Sequence, residues 1–194
     1  MINKLFLRGA LIVAAILLAA CAQSPQRINV QPTLSIGGGD IVGNGRAIVV
    51  SASDQRPSKV LGSLGGVYGD TSTLTIGNDV EQALTRAANG LLASQGYVVN
   101  SPDPSALQLN IVLENLTYQT PEQTVGKTVK LNATLRADVS KGGETFSGRY
   151  SSEAEHRMVA RPDPEDNEKY VNDLLSDTLV RMFSDNRLRD FLHK

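Results

Sequence analysis

The chain has 194 residues, with 19 Lys and Arg against 20 Asp and Glu, 5% aromatic residues, no Trp and a single Cys. The slightly acidic balance argues against nucleic acid as a partner, and the scarcity of aromatic rings argues against a large stacking surface for sugars or bases. One cysteine excludes an internal disulfide and any Cys-based metal site.

The first segment is a leader. Lys4 and Arg8 precede an apolar run from Ala10 to Ala20, which closes on Leu18-Ala19-Ala20-Cys21. Eleven residues make about 16 Å of helix, well short of the roughly 20 residues that span a bilayer. Residues 1–20 therefore read as a secretory signal that is removed. The small residues before Cys21 match a bacterial lipobox, in which the thiol takes a diacylglyceryl group and the new amino terminus is acylated. The bland alternative is an ordinary signal with a chance cysteine. More than one acyl chain anchors a protein stably, at about 0.8 kcal/mol per buried CH₂. Asp after the cysteine would resemble an inner-membrane retention signal. Ala22 stands there instead, which favours the periplasmic face of the outer membrane. Lipidation of Cys21 also leaves no thiol for catalysis.

Cleavage leaves residues 21–194. Removing Lys4 and Arg8 leaves 17 basic against 20 acidic residues, a net charge near −3. Residues 21–45 read as a lipidated terminus and tether, with Ser24, Pro25, Pro32 and Gly37-Gly38-Gly39. Ile28, Val30, Leu34 and Ile36 alternate, so part of this stretch fits an edge strand. A single globular domain is expected from Arg46 to Lys194.

Ala47-Ile48-Val49-Val50 reads as a strand buried on both faces. Asp54-Gln55-Arg56-Pro57 ends it with turn chemistry. Gly62, Gly65, Gly66 and Gly69 suggest a loose hairpin through Tyr68, followed by a strand at Thr73–Ile76. Asn78–Gln95 carries a helical stripe (Val80, Ala83, Leu84, Ala87, Leu91), with Asn78 as the expected cap and Glu81 in a capping-box position. Gly96 stops the helix, and Tyr97-Val98-Val99 begins a strand that Asn100–Pro104 breaks.

Three period-two strands follow. Leu107, Leu109, Ile111 and Leu113 share a face, then the phase moves to Leu116 and Tyr118, which predicts a bulge near Glu114-Asn115. Val129 to Val139 alternate in the next strand, and Lys141-Gly142-Gly143 turns the chain. Glu144–Met158 directs Phe146, Tyr150, Ala154 and Met158 inward, and Arg149, Glu153, Glu155 and Arg157 outward. A helix from about Asp166 to Phe183 and a last apolar turn (Leu188, Phe191, Leu192) complete a β-β-α-β-β-β-α order. That order predicts an α+β two-layer sandwich, with a mainly antiparallel or mixed sheet and two helices on one face.

No catalytic constellation emerges. His156 is in phase with inward residues and reads as a satisfied or rim histidine; His193 is next to the terminus, and the two make no metal pair. The glycines at 62–69 lack the strand–turn–helix context of a dinucleotide site. Asp54 and Arg56 form the most interesting polar cluster, at the C-terminal end of a strand where ligands of α/β sheets often bind. They either hold a polar ligand or partner group, or cap a turn and neutralise one another. Asp54, Arg56 and Tyr68 are the candidate contact residues; no cofactor, metal site or catalytic residue is assigned.

Taken in order, several stretches resemble the YajG family of Gram-negative lipoproteins: Leu18–Cys21, Val50-Ser51-Ala52-Ser53-Asp54-Gln55-Arg56, Leu91–Val99, Leu107-Gln108-Leu109-Asn110-Ile111 and Leu175-Ser176-Asp177-Thr178-Leu179. The Gly-rich 62–69 stretch departs from that pattern. The resemblance implies an outer-membrane lipoprotein. It carries over no activity, because the family has no settled molecular function. A looser likeness, of fold alone, is to periplasmic assembly-factor domains. The expected role is non-enzymatic: membrane attachment through Cys21, with an envelope protein or a second copy of the chain as partner. A small-ligand binder for lipid or muropeptide is the alternative. A cell-wall hydrolase would need an Asp/Glu-only mechanism, for which no pair can be placed.

Overall fold

The computed structural model describes residues 25–34, 42–65, 69, 71–121, 127–160 and 162–194. Among these residues eight strands and three helices follow in chain order. They are β1 (Gln26–Ile28), β2 (Ala47–Asp54), β3 (Val60–Ser63), β4 (Thr73–Ile76), α1 (Val80–Ser94), β5 (Val98–Val99), β6 (Leu107–Gln119), β7 (Lys127–Lys141), β8 (Glu144–Met158), α2 (Pro164–Phe183) and α3 (Asn186–Leu192). A five-stranded sheet has the order β5-β2-β6-β7-β8, and a three-stranded sheet the order β1-β4-β3. β2 runs parallel to both β5 and β6, while β6, β7 and β8 form an antiparallel meander. The result is the expected α+β sandwich with a mixed sheet.

The meander follows from its alternation. Leu107, Leu109, Ile111 and Leu113 of β6 line the same buried sheet face as Val129, Leu131, Ala133, Leu135, Ala137 and Val139 of the adjacent β7. The register shifts between Leu113 and Asn115, where the change of phase places a bulge. Past it, Leu116 and Tyr118 return to the core. Gly142 and Gly143 both take positive φ, +57° and +88°, which is what a two-residue hairpin turn between right-twisted strands demands. β2 differs from expectation: Ile48 and Val50 are buried while Ala47 and Val49 are half-buried. It is a one-sided strand because no helix among the described residues covers its second face.

α1 and α2 lay their apolar stripes on the inner face. The cap of α1 is Asp79, whose side chain accepts from the Gln82 N–H, and not Asn78. Asn78 is recruited elsewhere: its Oδ1 accepts from the Val30 N–H at 2.8 Å and its Nδ2 donates to the Val30 carbonyl at 2.8 Å. α2 starts two residues before the expected position, with Asp163 as cap and Pro164 in the first turn, where proline is pre-shaped for a helix.

Residues 25–34, assigned by composition to a tether, are packed into the body. β1 pairs in parallel with β4, and Ile28, Val30 and Pro32 are buried. Beyond β1 the extended backbone lies along α2. Glu168, Asn172 and Ser176, spaced one turn apart, accept the N–H groups of Asn29, Gln31 and Thr33 at 2.7, 2.6 and 3.0 Å. A side-chain ladder thus replaces a strand partner for this strap.

Candidate functional site

Asp54 and Arg56, singled out by the sequence, meet at the C-terminal end of β2. β2's ladder continues one residue past its end, with the Gln55 N–H donating to the Leu113 carbonyl at 3.0 Å. This fixes Asp54 and lets Arg56 fold back on it. Arg56 Nε donates to Asp54 Oδ1 and Nη2 to Oδ2, both at 2.8 Å, in a two-pronged fork of the strong, planar kind. The Arg56 backbone N–H also reaches Oδ1, at 3.2 Å. Lys59 Nζ donates to Oδ2 at 2.7 Å. The Asp54 and Arg56 side chains are 5% and 3% exposed, whereas Lys59 is 74% exposed.

Glu81, expected in a capping box, turns out to serve this cluster. Its Oε1 accepts from the Asp54 N–H at 2.9 Å, joining the first turn of α1 to the end of β2. Asp54, Arg56 and Lys59 line an open hollow of about 310 Å³ with Ile76, Asn78, Asp79, Val80 and Glu81. Arg56 Nη1 is buried and has no hydrogen-bond partner among the described residues. Lys59 lies three residues beyond Arg56 in the sequence, close enough to be inferred from the turn; Glu81 carries no local signal of its role.

Burial pushes the Asp54 carboxyl up, but bonds from Arg56 and Lys59 and the Arg56 charge outweigh it and hold the carboxyl well below the usual carboxylate range. A carboxylate this stable, with both oxygens occupied, is a poor general base. The cluster's chemistry is that of a neutralised pair with one guanidinium nitrogen, Arg56 Nη1, unpartnered among the described residues, and one exposed ammonium, Lys59, at the rim.

The remaining candidates are dispersed. Tyr68 and Cys21 lie outside the described residues. His156 stacks on Tyr170, with ring centroids 3.9 Å apart and 12° between planes. Its Nε2 is buried without a hydrogen-bond partner among the described residues. His193 caps the end of α3. No group of three His, Cys, Asp or Glu side chains among the described residues is arranged to hold a metal ion. On the outer sheet face, the bulge presents Glu114 to Arg136 and Arg149 at 2.8 and 2.7 Å. Arg136 also pairs with Asp138. Glu155 pairs with Lys130 and Arg157, and Glu153 accepts from Asn132. Each of these carboxylates has a basic or amide partner, Glu114 and Asp138 sharing Arg136, as expected of a wet strand face. No helix among the described residues is long and apolar enough to cross a membrane.

The uncharacterized lipoprotein YajG of Escherichia coli strain K12 is 24% identical over 188 residues, covering 93% of both chains. Its counterpart in Escherichia coli O6:H1 matches to the same extent. Among solved structures, the rare lipoprotein B from Shewanella oneidensis covers 74% of this chain and 89% of its own, at 12% identity and a TM-score of 0.43. Lipoprotein GNA1162 from Neisseria meningitidis covers 72% and 99%, at 15% identity and a TM-score of 0.35. The family model described as "Uncharacterized lipoprotein" matches residues 39–193. The chain belongs to this family of lipoproteins.

Proposed function

We propose that this protein is a lipid-anchored binding protein of the periplasmic face of the outer membrane, without catalytic activity of its own. The supporting observation is the state of its best polar cluster: Asp54 is locked by Arg56 and Lys59, a geometry that stabilises a surface and leaves no proton to move. The anchor is Cys21, carried by Leu18-Ala19-Ala20-Cys21, and membership of a lipoprotein family supports it. Ala22 at the second mature position supports the outer-membrane address.

The decisive test is Cys21→Ser in a Gram-negative host with metabolic labelling by a radioactive fatty acid. The variant should take up no label and move from the outer-membrane to the soluble periplasmic fraction. Unchanged labelling or unchanged fractionation refutes the anchor.

One observation favours a second reading, binding of a small polar ligand such as a lipid headgroup or muropeptide. The hollow of about 310 Å³ has Arg56 and Lys59 on its lining, and Arg56 Nη1 is unpartnered. That reading expects a thermal shift with the ligand that is lost in Lys59→Ala, a change at an exposed residue.

A further inference from the structure

The five-stranded sheet ends very differently on its two sides. At one edge stands β5, two residues long. At the other stands β8, fifteen residues long, paired with β7 from end to end with no shift of register. Among the described residues, β7 is the only strand that pairs with β8. At about 3.3 Å per residue this is an edge of about 50 Å, with every second backbone N–H and C=O aimed away from the sheet. Proteins normally blunt such an edge with proline, lysine, a bulge or a covering segment, because it templates pairing with another chain. β8 contains no proline, no lysine and no bulge. The charges on its solvated face, Arg149, Glu153, Glu155 and Arg157, are of both signs, so they oppose an arbitrary strand more than one whose charges complement them.

We infer that β8 is a self-pairing edge, and that its partner is β8 of a second copy of this chain. The charge order fits that partner. An antiparallel two-fold pair that overlaps all fifteen residues sets Glu144 opposite Met158 and Ser151 opposite itself. That register sets Arg149 opposite Glu153 of the second copy, twice by symmetry, on the solvated face. Thr145 and Ser147 meet Arg157 and Glu155, so no like charges stand opposite one another. Opposite-charge pairs across strands favour a register, and like charges oppose it. Moving the axis two residues, to Glu153, would set Glu153 against itself and Arg149 against Arg157. The most extensive overlap is thus also a charge-matched one. Arg149 and Glu153 are solvent-exposed and already bonded within the chain to Glu114 and Asn132, so the pairing shares or exchanges surface partners and needs no repacking of the core. Five strands from each copy would join in one ten-stranded sheet, through an isologous contact that closes on itself.

The register makes the inference testable in the full chain, expressed in a Gram-negative host. Ser151→Cys places two thiols at the axis and should give a disulfide-linked homodimer in cells under mild oxidation. Ser105→Cys, in an exposed loop, should not. In detergent extracts the wild type should sediment with twice the protein mass of Ser151→Lys, which sets two ammonium groups against each other while leaving the β8 backbone intact. Circular dichroism and the melting temperature of Ser151→Lys should match the wild type within a few degrees, which separates lost pairing from lost folding. The inference is overturned by a monomeric wild type, by equal cross-linking at Ser105 and Ser151, or by a Ser151→Cys adduct containing a different protein. It does not depend on acylation of Cys21.

Discussion

Replacing Asp54 with Ala isolates what the cluster at the end of β2 contributes. The change removes both prongs of the Arg56 fork and leaves a guanidinium that is 3% exposed without its counter-charge. Breaking a buried pair from one side costs about 3–5 kcal/mol, because the surviving charge stays buried. Lys59→Ala removes a bond of similar length to the same carboxylate. Its ammonium is solvated in either state, so the expected loss is only about 0–1 kcal/mol. Asp54→Leu combined with Arg56→Met removes both charges and should recover most of the loss. Urea unfolding of the purified full chain, followed by circular dichroism, measures all three. Acid gives an independent arm. A carboxyl whose folded pKa is depressed stabilises the fold above its unfolded value, near 3.9, and loses that contribution as pH falls through the folded value. The Asp54 contribution should therefore be constant from pH 7 to about 4 and decline below. Asp54→Ala should lack that portion of the decline. A loss under about 1 kcal/mol for Asp54→Ala, or equal losses for Asp54→Ala and Lys59→Ala, refutes the reading of a buried ion pair.

Two further perturbations test the packing. Asn172→Ala removes the acceptor of the Gln31 N–H and the donor to the Asn29 carbonyl. At about 1 kcal/mol per bond, amide exchange in residues 25–34 should accelerate about tenfold or more by mass spectrometry while α1 is unchanged; equal acceleration in α1 would mean global destabilisation instead. Gly62→Ala would set a Cβ 1.7 Å from the Tyr118 carbonyl oxygen. Overpacking costs about 1–3 kcal/mol and more against backbone, so Tm should fall by about 6 °C or more at about 2–4 °C per kcal/mol. Gly90→Ala, on the open face of α1 with nothing within 4 Å of the new Cβ, should raise Tm by about 2 °C through helix propensity. A shift of the same sign at both glycines would contradict these placements.

The meander was legible because its information is local. Alternation in β6, β7 and β8, the phase change at Glu114-Asn115 and the glycine pair at 142–143 each need only neighbours in sequence to be read. The strap was legible only in part: the alternation of Ile28 and Val30 fits an edge strand, and β1 is one, but what holds the rest was not visible. Pro25 and Pro32 gave it the composition of a tether, but its backbone is satisfied by Glu168, Asn172 and Ser176, about 140 positions away. Asn78 was misread for the same reason. Its amide matches both a cap and a bridge, and only the presence of Val30 decides for the bridge. At the candidate site the residue types were visible and the balance of charge was not. Asp54 and Arg56 two apart fit either a ligand clamp or a self-neutralised turn. The fork at 2.8 Å, the depth of burial and the link to Glu81 favour the turn.

The strap also changes what an anchor at Cys21 implies. Three residues separate Cys21 from Pro25, four steps that span at most about 14 Å of chain at about 3.6 Å per residue. Because the strap is bonded along α2, an acylated Cys21 holds the body within about that distance of the bilayer instead of letting it roam on a long leash. α2 covers the inner face of the sheet, so the anchor leaves from the helix-bearing layer. A two-fold pairing of β8 with its copy turns about an axis normal to the joint sheet, and such a rotation keeps both anchors on the same side. Two chains attached to one leaflet can therefore pair through β8 with their helices toward the membrane. The solvated face bearing Glu114, Arg136 and Arg149 is then turned away from the membrane. The anchor and the free edge are geometrically compatible, whereas a pairing that stacked the two sheets face to face would set the helix-bearing layers, and the two anchors, on opposite sides.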